Sequence, residues 1–108
     1  MAGSDVIVVG GGAAGLIAAI SAAGAGADVT ILERNPRVGK KILATGNGRC
    51  NFTNIYADTK YYNGNNPEFV LGALSVFTVR DTIRFFEKLG IEHKVEDNGK
   101  VFPMSDQA

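Results

Sequence analysis

The feature that most constrains the fold of this chain is a run of six small residues, Gly-Gly-Gly-Ala-Ala-Gly, at positions 10–15. The run follows Val6–Val9, a β-branched stretch typical of a strand that is covered on both faces in a parallel sheet. It leads into an Ala-rich stretch from Ala13 to about Ala25, which predicts an apolar helix lying close against the sheet. A second buried strand is predicted at Val29–Leu32. This order indicates a right-handed βαβ unit.

The small residues fit the spacing G-x-G-x-x-G, and their position between a strand and a helix favours a dinucleotide-binding turn. In such a turn Gly10 makes the tight bend, Gly12 lets the backbone approach a pyrophosphate, and Gly15 lets the helix pack closely on the strand. The phosphates then lie at the N-terminus of the helix, where free amides and the positive end of the dipole favour an anion.

A carboxylate follows the second predicted strand. Glu33 lies 23 residues after Gly10, where a dinucleotide fold places the acid that accepts hydrogen bonds from ribose hydroxyls. Because a carboxylate repels a 2′-phosphate, Glu33 favours FAD or NAD over NADP. The neighbouring Arg34 weakens this exclusion, since an arginine there can accommodate a 2′-phosphate, and Arg34 is therefore a second candidate for cofactor binding.

Residues 34–66 show no sustained periodicity and predict a long irregular connection, and connections of that length are usually functional. Within it, the stretch 40–51 combines basic side chains, glycines and short polar residues. Successive backbone amides in such a loop can form an anion-binding nest, and Arg49 can add a charge-assisted hydrogen bond. A ligand that reaches this second loop is long, which favours FAD over NAD.

The rest of the chain predicts two helices and a hairpin. Pro67 opens a helix that continues to Phe77, since proline at an early helical position needs no amide donor. Thr78 and Asp81 have the spacing of a capping box, and the helix that they start is closed by Gly90. Asn98-Gly99 between two extended runs is typical of a β-hairpin turn.

We therefore predict an α/β fold, in which a partial Rossmann-type βαβ dinucleotide-binding unit is followed by a small helical and β-hairpin segment. Residues 1–54 are predicted to form the FAD-binding unit with its phosphate and flavin loop. Residues 55–108 are predicted to form the helical and hairpin segment of the same incomplete domain. A two-stranded parallel sheet is a poor core by itself, so we expect the remainder of the same polypeptide to complete it.

Composition argues against several classes of partner. Eleven Lys plus Arg balance eleven Asp plus Glu, so bulk charge does not attract this chain to nucleic acid. One stretch nevertheless holds five basic residues and no acid: Arg34, Arg37, Lys40, Lys41 and Arg49. The sequence has the pattern of neither a signal peptide nor a membrane span, so we predict no membrane partner and a cytoplasmic location.

The single cysteine and the single histidine predict no metal site and no intrachain disulfide. A flavin disulfide reductase needs two cysteines, so Cys50 is interpreted as a small packed residue rather than as part of a dithiol relay. His93 is interpreted as a surface residue on an exposed strand. No catalytic side chain is recognised in this sequence.

Five segments of the chain resemble the N-terminal part of the BaiN/YhiN-type, or HI0933-like, family of FAD-dependent oxidoreductases. These segments are Val6–Gly15, Glu33, Lys41–Asn54, Phe85–Gly90 and Asn98–Pro103. The glycine run is shared by many flavoproteins, whereas Thr-Gly-Asn-Gly-Arg-Cys-Asn within Lys41–Asn54 is far more specific.

The resemblance implies that FAD is the cofactor and that NADH or NADPH donates electrons in the full-length protein. It assigns the pyrophosphate to the glycine turn and the adenosine ribose to Glu33, and it gives the second loop further contacts towards the flavin. The residues that it adds to those named above are Ala13, Ala14, Lys41, Thr45, Gly46, Asn47, Gly48 and Asn51, with Arg49 kept among them. Two alternatives stay open, namely a non-catalytic adenine-dinucleotide-binding module and an NAD-dependent dehydrogenase fragment.

Overall fold

The computed structural model describes residues 3–108, which divide into two compact units. The first unit ends at Ala44, and the second spans Thr45–Ala108. The functional division after residue 54 that the sequence suggests stays a prediction. None of the helices in the described part of the chain has the length and apolar character needed to cross a membrane.

The first unit is built on a parallel pair of strands joined by a helix. Strand β1 (Val6–Val9) pairs with β2 (Val29–Leu32) in register, from Val6 opposite Val29 to Val9 opposite Leu32. Helix α1 (Ala13–Gly24) connects them and contributes the buried Ala19. The parallel pairing of two strands that are joined by a helix confirms the predicted βαβ unit.

Only one face of this small sheet is covered within the described residues. Ile7 and Val9 are 59% and 85% exposed, whereas Val6 and Val8 on the other face are half-buried. The expectation of a strand covered on both faces is therefore wrong for the described chain. The physical reason is that α1 packs against one face of β1 and β2, and no second layer of this unit covers the other.

The second unit contains a three-stranded antiparallel sheet with helices. Besides short 3-10 turns, its elements are β3 (Thr53–Asn54), α2 (Val70–Val76), α3 (Val79–Lys88), β4 (His93–Val95) and β5 (Lys100–Pro103). The strand order in the sheet is β3-β5-β4. The hairpin β4-β5 turns at Gly99, whose φ of +84° needs glycine, and it confirms the prediction from Asn98-Gly99.

Aromatic side chains form the interior of the second unit. Val101 and Phe102 of β5 are 0% and 2% exposed. The Phe52 and Phe86 rings lie 4.5 Å apart between centroids, and Phe85 meets Phe86 edge-on at 5.2 Å. Because α3 is polar on its outer face, its aromatic positions turn towards the sheet and close this small core.

Local capping sets the start of α3. The amide of Asp81 donates to Oγ1 of Thr78 at 3.1 Å, and the amide of Thr78 donates to Oδ2 of Asp81 at 3.0 Å, so the predicted capping box is confirmed. The bond from the Thr78 amide lowers the pKa of the Asp81 carboxyl. The helix predicted from Pro67 to Phe77 is instead a 3-10 turn, Pro67–Phe69, followed by α2.

The connection predicted to be irregular over residues 34–66 contains regular structure. It holds short 3-10 turns within Lys40–Gly48, which are interrupted by the non-helical residues Thr45, Gly46 and Asn47, another 3-10 turn at Thr59–Tyr61, and β3. The prediction failed because short 3-10 turns carry no long periodicity, and because a two-residue strand is created by its partner β5 rather than by its own residues.

Candidate dinucleotide-binding site

The glycine turn after β1 has a geometry that only small residues permit. Gly10 has a φ of +98°, and its amide donates to the carbonyl oxygen of Leu32 at 2.8 Å. A Cβ at Gly15 would overlap the carbonyl oxygen of Gly10 and lie 3.0 Å from its carbonyl carbon. The helix thus packs on the end of β1 with no room for a side chain at this point.

Gly12 has a different environment from Gly15. It is exposed at the N-cap of α1, and a Cβ there would meet no atom within 4 Å. The cap has no side-chain hydrogen bond to the first helical amides. Ala13 and Ala14, in the first turn, are exposed as well. Open space in front of a helix N-terminus is what an approaching phosphate group requires.

The middle glycine of the turn, Gly11, is a residue that sequence reasoning missed. Its amide donates to Oε1 of Glu33 at 2.9 Å, and its carbonyl oxygen accepts from the amide of Gly39 at 2.7 Å. A Cβ at Gly11 would lie 2.6 Å from Cγ1 of Val38. The three consecutive glycines were a visible signal, but the partner Val38 lies in a loop without periodicity.

Glu33 is fixed by two backbone amides. Besides Gly11 at Oε1, the amide of Asn35 donates to Oε2 at 2.8 Å. The bond from Asn35, followed by the one from Gly11, lowers the pKa of the Glu33 carboxyl, so that it is charged at neutral pH. Each carboxylate oxygen keeps a lone pair for a further donor such as a ribose hydroxyl.

An open cleft lies beyond the carboxyl ends of β1 and β2. It has a volume of about 640 Å³ and is lined by Val9, Gly10, Ile31, Leu32, Glu33 and Arg34. Open parallel sheets bind ligands at this edge of their strands. The aliphatic side chains offer an apolar wall for a planar ring, and Glu33 offers a hydrogen-bond acceptor beside it.

The second predicted loop, Thr45–Asn51, has an unusual backbone. Gly46, Asn47, Gly48 and Cys50 all have φ between +56° and +85°. The turn closes through the amide of Cys50, which donates to the carbonyl oxygen of Thr45 at 3.0 Å. A Cβ at Gly46 would overlap the amide nitrogen of Asn51, so glycine is required there. This conformation accounts for the Gly-Asn-Gly spacing of the motif.

Two side chains of this loop have partners inside the second unit. Arg49 pairs with Glu96 and Asp106, and its guanidinium lies 3.8 Å from the centroid of the Phe102 ring. With its side-chain amide turned to donate, Asn51 bonds the carbonyl oxygens of Thr53 at 2.9 Å and Val101 at 3.2 Å. Their predicted contacts with FAD stay predictions.

The predicted site residues are therefore gathered in two groups. The first unit brings together Gly10, Gly12, Ala13, Ala14, Gly15, Glu33 and Arg34 around the glycine turn and its cleft, and it also carries the exposed Lys41. The second unit holds Thr45, Gly46, Asn47, Gly48, Arg49 and Asn51 in one compact loop.

Cys50 and His93 are the residues considered for redox and acid-base chemistry, and each is half-buried outside the glycine turn and its cleft. Cys50 is half-buried with a free thiol and a φ of +61°. His93 is half-buried on β4, with Nδ1 3.8 Å from Oε1 of Glu87. Within residues 3–108, no three His, Cys, Asp or Glu side chains lie together as metal ligands would.

A parallel βαβ unit with a glycine turn at the helix N-terminus and a fixed carboxylate after β2 defines a Rossmann-type nucleotide-binding domain. The family model described as the HI0933-like protein Rossmann domain matches residues 4–108, and the chain belongs to that family. The resemblance seen in the sequence motifs and the predicted fold class are thereby confirmed.

Three similar proteins carry functional names. The chain is 48% identical over 103 residues to a 3-dehydro-bile acid delta(4,6)-reductase of Clostridium scindens, covering 94% of this chain and 25% of the relative. It is 40% identical to a ribosomal RNA dihydrouridine synthase of Escherichia coli, covering 91% and 24%. The ribosomal RNA dihydrouridine synthase of Haemophilus influenzae is 38% identical, covering 92% and 25%. The chain thus spans about a quarter of the length of the curated relatives that it matches.

Proposed function

We propose that this chain is the FAD-binding segment of a flavin-dependent oxidoreductase that takes electrons from NADH or NADPH. The observation that carries the proposal is the Glu33 carboxylate, held by the Gly11 amide at the edge of the cleft beyond β1 and β2. A charged acceptor at this place suits the ribose of an adenine dinucleotide.

The residues of the first unit fit such a cofactor. The open space at Gly12 leaves room for a pyrophosphate at the N-terminus of α1, where the positive end of the helix dipole favours its charge. The aliphatic wall beside Glu33 suits an adenine ring. When bound, FAD supplies hydride and electron transfer, and the protein supplies binding, orientation and electrostatics.

The carboxylate also selects among dinucleotides. Because Glu33 is charged at neutral pH, it repels a 2′-phosphate, which favours FAD or NAD over NADP in this cleft. Glu33 alone suits FAD and NAD equally well. Membership of the HI0933-like family, which the specific Thr-Gly-Asn-Gly-Arg-Cys-Asn motif indicated, favours FAD.

The names of the relatives suggest one class of reaction for the complete protein. A delta(4,6)-reductase of a 3-dehydro-bile acid and a dihydrouridine synthase both saturate a carbon–carbon double bond that is conjugated with a carbonyl group. In such a reduction the substrate gains a hydride at an electron-poor carbon of the conjugated system, β to the carbonyl in an enone or a uracil and δ in an extended dienone, and a proton on the resulting enolate, while the nicotinamide donor is oxidised. We propose this reaction class, with a steroid-like enone or a uracil ring as candidate substrate.

The test is the visible spectrum of the complete gene product. Absorption bands at about 375 and 450 nm, bleached by NADH or NADPH under nitrogen, are expected for a reducible flavin. A protein that stays colourless after FAD is added contradicts the proposal and favours an NAD-dependent dehydrogenase or a non-catalytic module. A yellow protein that neither nicotinamide bleaches favours a flavin-binding module without this reaction.

The substrate class has its own test. The zero net charge of these 108 residues provides no general attraction to RNA, whereas two relatives are named for ribosomal RNA. The complete protein is supplied with NADH or NADPH and either a conjugated steroid ketone or unmodified ribosomal RNA. Nicotinamide oxidation with one of these and not the other assigns the substrate class, and oxidation with neither contradicts the proposed reaction.

A further inference from the structure

Four charged side chains of the second unit form one connected network. Arg49 makes a bidentate pair with Glu96, with Nη1–Oε2 and Nη2–Oε1 distances of 3.0 Å each. Nη1 of Arg49 also lies 3.1 Å from Oδ1 of Asp106, whose other carboxylate oxygen pairs with Lys94. Arg49 belongs to the Thr45–Asn51 loop, whereas its partners lie on the β4-β5 hairpin and the turn after it.

The charges of this network cancel. Two cations, Arg49 and Lys94, meet two carboxylates, Glu96 and Asp106, so the sum is zero. An isolated guanidinium attracts a diphosphate strongly, but one that is already paired with two carboxylates presents little net positive charge. The geometry therefore argues against Arg49 as a phosphate ligand, which is the role that the sequence suggested.

The same network is attached to a loop whose backbone needs support. Asn47 and Cys50 are not glycines, yet both have a φ of +61°, a conformation with a steric cost for residues that carry a Cβ. Contacts with other parts of the second unit hold the loop in this conformation. The Arg49 guanidinium stacks on the buried Phe102 ring, and the carbonyl oxygen of Gly48 accepts from the amide of Ala108 at 3.0 Å.

We propose that Arg49 is a positioning residue, which holds the Thr45–Asn51 loop in its left-handed conformation through Glu96 and Asp106 and does not itself contact the cofactor. As far as it concerns FAD, this inference rests on the proposed function. On this proposal the Thr45–Asn51 loop has its left-handed conformation before the cofactor binds. The backbone groups of the loop, rather than the Arg49 guanidinium, then contact the ligand.

The experiment separates the two roles by changing the partner instead of the arginine. Glu96→Gln keeps the shape of the side chain and removes its charge, and Asp97→Asn is the matched control. Asp97 is the next residue, exposed and without an ion pair in the described part of the chain. Two readouts are taken on the complete gene product: amide hydrogen exchange over residues 46–51 without FAD, and the Kd for FAD.

For a positioning role we expect faster exchange in Glu96→Gln and a Kd about fivefold higher, a modest effect because Arg49 and Glu96 are each about one third exposed. Arg49→Met is expected to raise the exchange rate and the Kd in the same way, and the double variant Arg49→Met/Glu96→Gln is expected to raise them no further than either single variant. Arg49→Lys is also expected to exchange faster and to bind FAD more weakly than the parent, since an ammonium cannot form the bidentate pair. Asp97→Asn should match the parent in both readouts.

The proposal is overturned if Glu96→Gln leaves exchange unchanged and binds FAD as tightly as the parent or tighter, while Arg49→Met binds it weakly. Arg49 is then a direct ligand, and Arg49→Lys should keep most of the affinity. A protein that binds no FAD contradicts the proposed function instead. Loop exchange in the Glu96→Gln variant then still decides whether Arg49 holds the loop.

Discussion

The backbone amide of Gly11 donates to the side-chain oxygen Oε1 of Glu33 at 2.9 Å, across 22 positions of the chain. This bond joins the glycine turn after β1 to the residue that follows β2. The acid is therefore part of the turn's own structure, in addition to any bond that it makes to a ligand. Loss of Glu33 should consequently affect the turn and the cleft together.

Glu33→Ala is expected to weaken FAD binding by about tenfold or more, since it removes charged acceptors from both the cofactor and the turn. The Kd is measured by quenching of flavin fluorescence on the complete protein. Asp28→Ala is the matched control, because Asp28 is an exposed carboxylate just before β2, at the opposite end of the strand. Equal loss of affinity in both variants would contradict the role of Glu33.

Acid should release the cofactor through the same group. The Asn35 and Gly11 amides lower the pKa of the Glu33 carboxyl in the folded protein. The contribution of the Glu33 carboxylate to the stability of the folded glycine turn, and with it to FAD retention, is therefore complete above the ordinary glutamate pKa. That contribution is lost as the pH falls through the lowered pKa of the folded protein. FAD retention followed against pH should show this acid loss in the parent. In Glu33→Gln retention should be weaker throughout and show a smaller change over that range.

Gly15→Ala should destabilise the fold. The new methyl group would overlap the carbonyl oxygen of Gly10, and relieving such overpacking costs about 1 to 3 kcal/mol. Urea unfolding, followed by circular dichroism, measures the change. The control is Gly24→Ala, at the other end of α1, where a Cβ would meet nothing within 4 Å. It should be neutral or stabilise the protein by up to about 1 kcal/mol.

Gly12→Val should separate binding from folding. A Cβ at Gly12 would meet no atom within 4 Å, so the variant is expected to remain folded and to lose no more than about 1 kcal/mol, the cost of an unfavourable N-cap residue. Its branched side chain would occupy the space in which a pyrophosphate approaches the helix, so flavin should be lost during purification. A variant that retains flavin in full would rule out this site for the pyrophosphate.

Thr78→Ala tests the capping box of α3. Removing an N-cap hydroxyl costs about 1 kcal/mol, which should lower the urea midpoint of the second unit. Thr78→Ser keeps the acceptor oxygen for the Asp81 amide and should restore most of the stability. If serine and alanine are equally destabilising, the hydroxyl contact does not stabilise the helix.

The parts of the fold that could be predicted are those that residues close together in the sequence specify. Val6–Val9 and Val29–Leu32 were placed to the residue, because each is a short apolar run between turn residues. Thr78 with Asp81, and Asn98 with Gly99, specify their turns within four residues. The positions of the glycine turn after β1 and of Glu33 after β2 likewise follow from spacing and local context, whereas their roles in cofactor binding stay predictions.

What escaped prediction depends on contacts between distant residues. Arg49 and Glu96 lie 47 positions apart, so no residue close to Arg49 in the sequence indicates that its charge is already paired. The bond between Gly11 and Glu33 and the contact of Gly11 with Val38 are hidden in the same way. Strand β3 exists only because β5 lies beside it. Such features follow from packing rather than from local preference.

The uncovered face of the small parallel sheet has a practical consequence. Ile7 and Val9 present β-branched side chains to solvent, and β1 and β2 each have an unpaired edge among the described residues. A polypeptide made of these residues by themselves should therefore tend to self-associate and precipitate when concentrated, because bare strand edges and apolar patches template aggregation. Soluble preparations should be easier to obtain when this face is supplied with a covering layer.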